Sequence, residues 1–422
     1  MLEKPKLFAT LKQFWLSMLF LFSLLLVRLF YLYGDYNEFK LKPFFYTDVD
    51  VIQAYEKWKD NNFYTIMKLY SPVLDITFFS RTKIRVDELR PHLRVKLFPH
   101  DDMEFKSYLG TSFINSNVNE IYKVNSFKSK VLNWIIQQHK SSMISNFYNA
   151  IYFAQPLEKR LRQQVSILGV SHLIALSGFH LAILSTMLFF LLRPLYRFFQ
   201  QRYFPYRFDL IDIGFVVLIL LAWYLWFVGS PASLLRSYAM MLLGWFFLLL
   251  GVELITLSFL ATITMLLLVL FPKFLLSLAF WFSITGVLYI FLLLHYFKEF
   301  NRYVMTVIIS FGIFTLMLPL VHTVFSITSP LQLLSPFLSL LFTLFYPISM
   351  GLHLLGIGDI FDNLLQGLFS LDSNTLDVVI SSWLGVVYIL LSILSFYFKH
   401  IFYLLLLLSA SFFIWLFMRF LL

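Results

Sequence analysis

The sequence contains ten separate apolar runs, each close to the length that crosses a lipid bilayer. A transmembrane helix needs about 20 predominantly apolar residues, and a soluble core does not need so many runs of that length. Only 13% of the residues are charged, whereas about a quarter are charged in soluble domains. We therefore predict a polytopic α-helical membrane protein with about ten transmembrane helices. The runs lie near 14–33, 172–192, 210–228, 234–252, 254–271, 274–296, 303–325, 332–355, 378–397 and 400–421.

The first run is interpreted as an anchor helix in residues 1–33. Lys4, Lys6 and Lys12 precede it, and no small-x-small cleavage site follows it. The positive-inside rule then puts the N-terminus in the cytoplasm and the next segment on the outer face of the membrane.

Residues 34–170 contain no run of spanning length and are expected to be extracytoplasmic. Of the whole chain's 33 basic and 23 acidic residues, 23 and 15 lie in residues 1–171, so the basic surplus falls mainly here. Short β-branched and aromatic runs at 63–70, 73–79 and 93–98 predict strands of a small barrel in a domain covering 34–127. The chain has no cysteine, so no disulfide can stabilise this domain.

Two helical regions are expected after the barrel. Residues 128–171 alternate apolar and polar side chains, which predicts an amphipathic helical lead-in beside the membrane. Residues 172–422 then form the multi-helix domain. Four arginines crowd its first short loop and mark that loop as cytoplasmic, in agreement with the extracytoplasmic position of 34–170; they are Arg193, Arg197, Arg202 and Arg207. An acidic loop is expected outside; it contains Asp359, Asp362, Asp372 and Asp377.

A polar cluster occupies the start of the second run, within the stretch 169–183. Helical spacing predicts that His172, Ser177 and His180 lie on one continuous helix, where Gly178 would allow close approach of a neighbour. One interpretation is that these groups only hydrogen-bond neighbouring helices. The other is that Ser177 is a nucleophile with His180 as its base, as in an intramembrane serine hydrolase or protease. The sequence leaves both open.

The run Gly-Val-Ser-His-Leu-Ile-Ala-Leu-Ser-Gly-Phe-His at 169–180 resembles the signature that opens the membrane domain of ComEC-type competence proteins. The resemblance continues in order along the chain. The stretch 157–162 is similar to the family's helical lead-in, and 229–236 is similar to its Gly-x-x-Pro-x-x-x-Arg segment. Pro272 with 278–283 resembles a later element, in which Ala279 stands where glycine is usual.

The resemblance implies an inner-membrane channel that passes single-stranded DNA into the cytoplasm during natural transformation. It also implies that the strand-rich domain is OB-like, and that the partners include membrane lipids, a periplasmic DNA receptor and a cytoplasmic helicase or ATPase. Whether one chain or a homodimer encloses the pore is left open.

No enzyme activity is predicted. Many family members continue into a metallo-β-lactamase-like domain with a proposed nuclease role, but this sequence reaches Leu422 without a His-x-His-x-Asp-His run. We therefore expect the short form, with the second strand degraded by another protein. Nine scattered histidines predict no metal site, and no Gly-Lys-Ser or Gly-Lys-Thr indicates a nucleotide site, so no cofactor is expected.

Candidate DNA-contacting and channel residues complete the prediction. They are His172, Ser177, Gly178, His180 and Arg236 in the membrane domain. Arg236 could meet phosphate or extend to the lipid headgroups. In the strand region a basic patch could track the DNA backbone or be an ordinary solvated face; it comprises Arg81, Lys83, Arg85, Arg90, Arg94 and Lys96.

Overall fold

The computed structural model describes residues 5–59, 62–86, 92–100, 102–121 and 127–420. The chain divides into two compact units. We call them the sheet unit and the helical unit. The sheet unit consists of Phe8–Val131 and Thr264–Phe280, and the helical unit consists of Met1–Leu7, Leu132–Ile263 and Trp281–Leu422.

The strands concentrate near the N-terminus and helices make up most of the rest. The strands are β1 (Phe45–Lys59), β2 (Asn62–Ser71), β3 (Ile76–Thr82), β4 (His92–Phe98), β5 (Thr111–Phe113), β6 (Asn115–Ile121), β7 (Ile327–Thr328) and β8 (Leu376–Asp377). The helices are α1 (Leu11–Leu41), α2 (Phe105–Leu109), α3 (Phe127–Ile136), α4 (Ser142–Phe153), α5 (Lys159–Ile167), α6 (Ser171–Ile174), α7 (Gly178–Tyr203), α8 (Asp209–Val228), α9 (Ala232–Leu249), α10 (Leu257–Leu270), α11 (Leu278–Tyr296), α12 (Arg302–Val321), α13 (Ser335–Leu354), α14 (Asp362–Phe369), α15 (Ser382–Leu394) and α16 (Lys399–Met418).

The predicted polytopic fold is confirmed. Within the described residues, eight helical segments of at least 18 residues are apolar enough to cross a membrane. The apolar helices α10 and α15 are shorter, with 14 and 13 residues. These ten segments correspond to the ten runs of the sequence. Helix α13 continues through Pro347 without a break.

Helix α1 is longer than the anchor predicted from the sequence, because it continues past residue 33 to Leu41. A helix of 31 residues is roughly 46 Å long, whereas the hydrocarbon core is only about 30 Å thick. The end of the helix is not surrounded by solvent. Tyr36 and Phe39, near its end, are buried in the core of the sheet unit.

The six-stranded sheet closes on itself. Its strand order is β5-β3-β2-β1-β4-β6, and the strands at the two ends, β5 and β6, are separated in sequence only by Ile114. The Ile114 N–H donates to Phe79 O of β3 at 2.8 Å, and the Ser116 hydroxyl of β6 bonds that of Ser80 of β3 at 2.7 Å. One stretch of chain therefore pairs with both β3 and β4, which gives the small OB-like barrel.

Three strands of the barrel follow the sequence prediction and three do not. The runs at 63–70, 73–79 and 93–98 correspond to β2, β3 and β4, although β3 begins only at Ile76. The longest strand, β1, was missed because its charged residues weaken the apolar signal. Its alternate side chains Thr47 and Val49 point into the core, whereas Asp48 is exposed, which is the period of a half-buried strand.

Two aspartates in the first turn of α8 pair with three of the four arginines that were predicted to lie in a short loop. Only Arg207 lies in the connection, because α7 extends to Tyr203 and includes the other three. Arg193 and Arg197 bond Asp209 at 3.0 and 2.9 Å. Arg207 bonds Asp212 at 2.6 Å. The positive-inside rule counts basic residues and gives acidic ones little weight, so this pairing leaves the topological argument intact.

Close packing of α8 on α9 depends on Gly214. A Cβ atom at this position would lie 2.7 Å from Trp245 Nε1, far inside van der Waals contact. We expect Gly214→Ala to displace the indole ring and to destabilise the helical unit by about 1–3 kcal/mol, the usual cost of overpacking.

The matched control is Gly244→Ala, because a Cβ there meets no atom within 4 Å. The thermal aggregation midpoint of the purified protein in detergent should fall for Gly214→Ala and not for Gly244→Ala. Equal midpoints for the two variants would contradict this account of the contact.

Candidate functional site

The signature run 169–180 forms two helices rather than the single helix predicted. Helix α6 ends at Ile174, and α7 begins at Gly178. Ala175, Leu176 and Ser177 between them have extended or irregular backbone. A helix that stops inside an apolar bundle leaves backbone groups without intrahelical partners, and such breaks are tolerated where they are buried in protein or line a cavity.

Ser177 and His180 explain why the helix restarts at this place. Ser177 is the N-cap of α7, and His180 is the third residue of the helix. The His180 Nδ1 accepts the Ser177 N–H at 3.3 Å. This is the reciprocal arrangement of a capping box, with histidine in the place of the usual glutamate or glutamine. The prediction of one continuous helix was wrong because Ser177 was treated as a mid-helix residue.

The same geometry gives little support to a serine nucleophile. The distance from Ser177 Oγ to His180 Nδ1 is 3.3 Å, beyond the usual range of about 2.6–3.2 Å for a nucleophile and its base. The His180 ring lies edge-on to Phe342 and Tyr346 of α13, with centroids 5.2 and 5.0 Å away. Among the described residues, no carboxylate hydrogen-bonds this ring.

The start of the signature packs against the beginning of α13. Gly169 has a φ of +68° and a Cβ there would lie 3.0 Å from Gln332 Cγ, so both conformation and space require glycine. Its carbonyl accepts the Ser335 hydroxyl at 3.0 Å. The exposed His172 places its Nε2 3.3 Å from Ser339 Oγ. His172 therefore faces α13 rather than sharing a stripe with Ser177.

Gln332, Ser335 and Ser339, which contact the signature run, were not among the residues predicted from the sequence. A usable signal was present, since Ser329 before Pro330 is an N-cap pattern and marks the short 3₁₀ helix Pro330–Leu334. What the sequence could not give is the pairing of this segment with Gly169, more than 160 positions away.

Gly178 and Arg236 come from segments that lie in contact. A Cβ on Gly178 would lie 3.1 Å from the Ser237 Oγ, so the start of α7 approaches α9 closely beside Arg236. Arg236 lies in the second turn of α9 and is only 5% exposed. The turn before α9 contains Gly229 and Ser230, both at positive φ, which matches the Gly-Ser-Pro break expected from the sequence.

A pocket of about 270 Å³ lies at the break between α6 and α7. Three parts of the sequence that resemble the family meet in its wall. The lead-in, the signature and the segment before Arg236 contribute, respectively, Leu157 and Arg162, Ser171 and Ala175, and Ser233. Helix α4 supplies Ala150 and, at its C-cap, Ala154.

The basic residues predicted to contact DNA in the sheet unit lie on different strands. Arg81, Arg85 and Arg94 are exposed; Arg81 is on β3 and Arg94 is on β4, two strands that are not hydrogen-bonded neighbours. Arg94 is directly opposite Asp48 on one side and Glu120 on the other, so two carboxylates offset its charge. Arg90 lies outside the described residues.

Lys96 has a different environment, because aromatic rings surround it. Its Nζ lies 3.9 Å from the centroid of Phe44, 5.5 Å from that of Tyr46 and 5.4 Å from that of Phe98. Cation and ring faces together are the combination that single-strand binders use. In the part of the chain that the structure describes, no group of three or more His, Asp or Glu side chains is arranged so that it could hold a metal ion.

Comparison with known proteins identifies the family. The family model described as "Competence protein" matches residues 154–422, more than half of the chain. Uncharacterized protein MG316 of Mycoplasma genitalium is 29% identical over 126 residues, which are 30% of this chain and 30% of that protein. The chain thus spans under a third of the length of this relative. No solved structure matches.

The matched region begins at Ala154 on the pocket wall and includes the whole signature, α9 with Arg236, and α13. The chain therefore belongs to the Competence protein family.

Proposed function

We propose that this protein is the membrane channel through which single-stranded DNA enters the cytoplasm. Membership of the Competence protein family supports a role in DNA uptake for transformation. The channel role is our inference, and it rests chiefly on the helix break at 175–177, which opens onto the pocket. Discontinuous helices whose ends line a cavity are the usual construction of membrane transport sites.

The residues around the break fit an anionic chain as cargo. Arg162 lines the pocket and Arg236 is held in α9 beside the start of α7. A cation retained at such a position is costly in a bilayer and usually has a function. Phosphate is a ligand that guanidinium groups bind in two-pronged geometry.

The sheet unit is proposed to act as an outer DNA-binding domain. The Lys96 cluster with Phe44, Tyr46 and Phe98 would let bases stack while the ammonium group meets a phosphate. Arg94, by contrast, is a poor candidate because Asp48 and Glu120 flank it.

We also propose a location and partners for the protein. We infer an inner-membrane position with the N-terminus in the cytoplasm and 34–170 outside, a periplasmic DNA receptor, and a cytoplasmic helicase or ATPase. The protein itself is proposed to have no enzyme activity.

Deletion of the gene tests the channel role directly. Labelled donor DNA should still reach the outer compartment of the mutant cell but should not enter the cytoplasm, and a plasmid copy of the gene should restore entry. A normal transformation frequency in the deletion strain would refute the proposal.

Substitution of Ser177 separates a capping role from a nucleophilic one. Asn is as good an N-cap as Ser but cannot attack a carbonyl, so Ser177→Asn should transform at close to the wild-type frequency. Ser177→Ala loses the cap, at about 1 kcal/mol, and should lower uptake by less than about tenfold. Transformation frequency is measured at matched membrane abundance. Complete loss in Ser177→Asn would instead favour the intramembrane hydrolase.

The proposed orientation can be tested with single cysteines, because the chain has none of its own. Val73 in the sheet unit and Gln201 near the end of α7 are both exposed. A membrane-impermeant maleimide should label Val73→Cys in intact spheroplasts and should label Gln201→Cys only after permeabilisation. The reverse pattern would contradict the orientation.

A further inference from the structure

Three buried, hydrogen-bonded side chains link the lead-in helices to the end of α13. His139 follows α3, His353 is in the last turn of α13, and Asp362 begins α14. The His139 Nδ1 is 2.9 Å from Asp362 Oδ1, and its Nε2 is 2.9 Å from His353 Nε2. The side chain of His139 is completely buried and that of Asp362 is 11% exposed.

The number of hydrogens shared by His139, His353 and Asp362 follows from the hydrogen-bond acceptors around them. The His353 Nδ1 lies 2.6 Å from the carbonyl oxygen of Ser349, which can only accept, so this nitrogen carries a hydrogen. One hydrogen must lie between the two Nε2 atoms, and another between His139 Nδ1 and the Asp362 carboxyl group. The three hydrogen bonds therefore need three hydrogens. Two neutral imidazoles and one carboxylate have only two, so one extra proton is bound.

The number of bound protons determines whether these three side chains stay together. If the extra proton leaves, two acceptors face each other across one link and a negative charge remains buried, which is strongly unfavourable. If a second extra proton binds, two donors face each other. The contact seen in the structure thus requires one bound proton, whether it resides on His139, His353 or Asp362.

Other groups around His139, His353 and Asp362 do not supply this proton. Tyr148 stacks on His139 with centroids 4.6 Å apart, and the Tyr152 hydroxyl donates to Ser349 Oγ at 2.8 Å. Burial raises the pKa of both phenols, and for Tyr148 the Asp362 carboxyl adds to the effect. From α13 and α8, Tyr346 and Tyr224 complete the phenolic groups near Tyr152.

The remaining neighbours are uncharged or exposed. Gln138 donates to His353 O at 3.3 Å and accepts the Gly358 N–H at 3.0 Å, so it binds the same two segments without titrating. Lys140 and Asp359, the nearest charged residues along the chain, are exposed.

We propose that His139, His353 and Asp362 form a proton-binding site whose single exchangeable proton holds the end of α3 against α13 and α14. Release of the proton would free α4 as well, because its Tyr148 and Tyr152 pack on the histidines. The same helix carries Ala150 and its C-cap Ala154 to the pocket wall. Proton release at this site would therefore loosen the pocket.

The direction of the pH effect follows from the proton count. The closed form binds one more proton than the open form by this count. The ratio of open to closed protein should therefore rise with pH, by up to tenfold per pH unit.

The test uses spin labels on Lys140→Cys and Leu355→Cys, two exposed positions of the cysteine-free chain. In the full-length protein in nanodiscs, pulsed EPR should give one distance near pH 6 and a growing second distance as the pH rises. A distance distribution that does not change with pH would overturn the proposal.

Asp362→Asn is the decisive variant, because the asparagine amide can donate a hydrogen to His139 Nδ1 and does not titrate. It should keep the single distance at every pH. The matched control Asp359→Asn, on an exposed carboxylate three residues earlier, should behave as wild type. A pH-dependent distance in Asp362→Asn would overturn the proposal; if that variant does not fold, the wild-type profile decides alone.

Discussion

The architecture of the helical unit depends on the restart of a helix inside an apolar bundle. Backbone groups freed at 175–177 must find partners without bulk water, and the Ser177–His180 cap meets part of this demand locally. Because the cap fixes where α7 begins, it also fixes where Gly178 meets Ser237 of α9. The pocket exists because the chain turns at this point instead of continuing as one rod.

Apolar runs allowed the membrane architecture to be predicted from sequence, because in lipid the helix is the form that satisfies its own backbone. The interior of the bundle was less accessible. The Ser177-x-x-His180 spacing is a capping pattern, but histidine at the third helical position is an unusual partner, and helical periodicity across the break was equally consistent with one helix. The barrel strand β1 was hidden because charged residues such as Asp48 and Glu56 interrupt its apolar pattern.

Long-range pairing explains the other differences. No local pattern indicated that Asp362 of the acidic loop would be buried, yet only 8% of the whole residue is exposed, because it bonds His139. The two residues are 223 positions apart, and no local pattern links them. The acidic neighbours of Arg94 were inaccessible for the same reason, because only the strand register places Arg94 between Asp48 and Glu120.

The closure of the barrel through Ile114 bears on the exposure of its sheet edges. An open sheet exposes a row of unpaired N–H and C=O groups, which can recruit a strand from another molecule. Here the ends of the sheet are consecutive pieces of one segment, and that segment binds β3 with one piece and β4 with the other. A cysteine-free domain thereby gains from topology a protection against edge-to-edge aggregation.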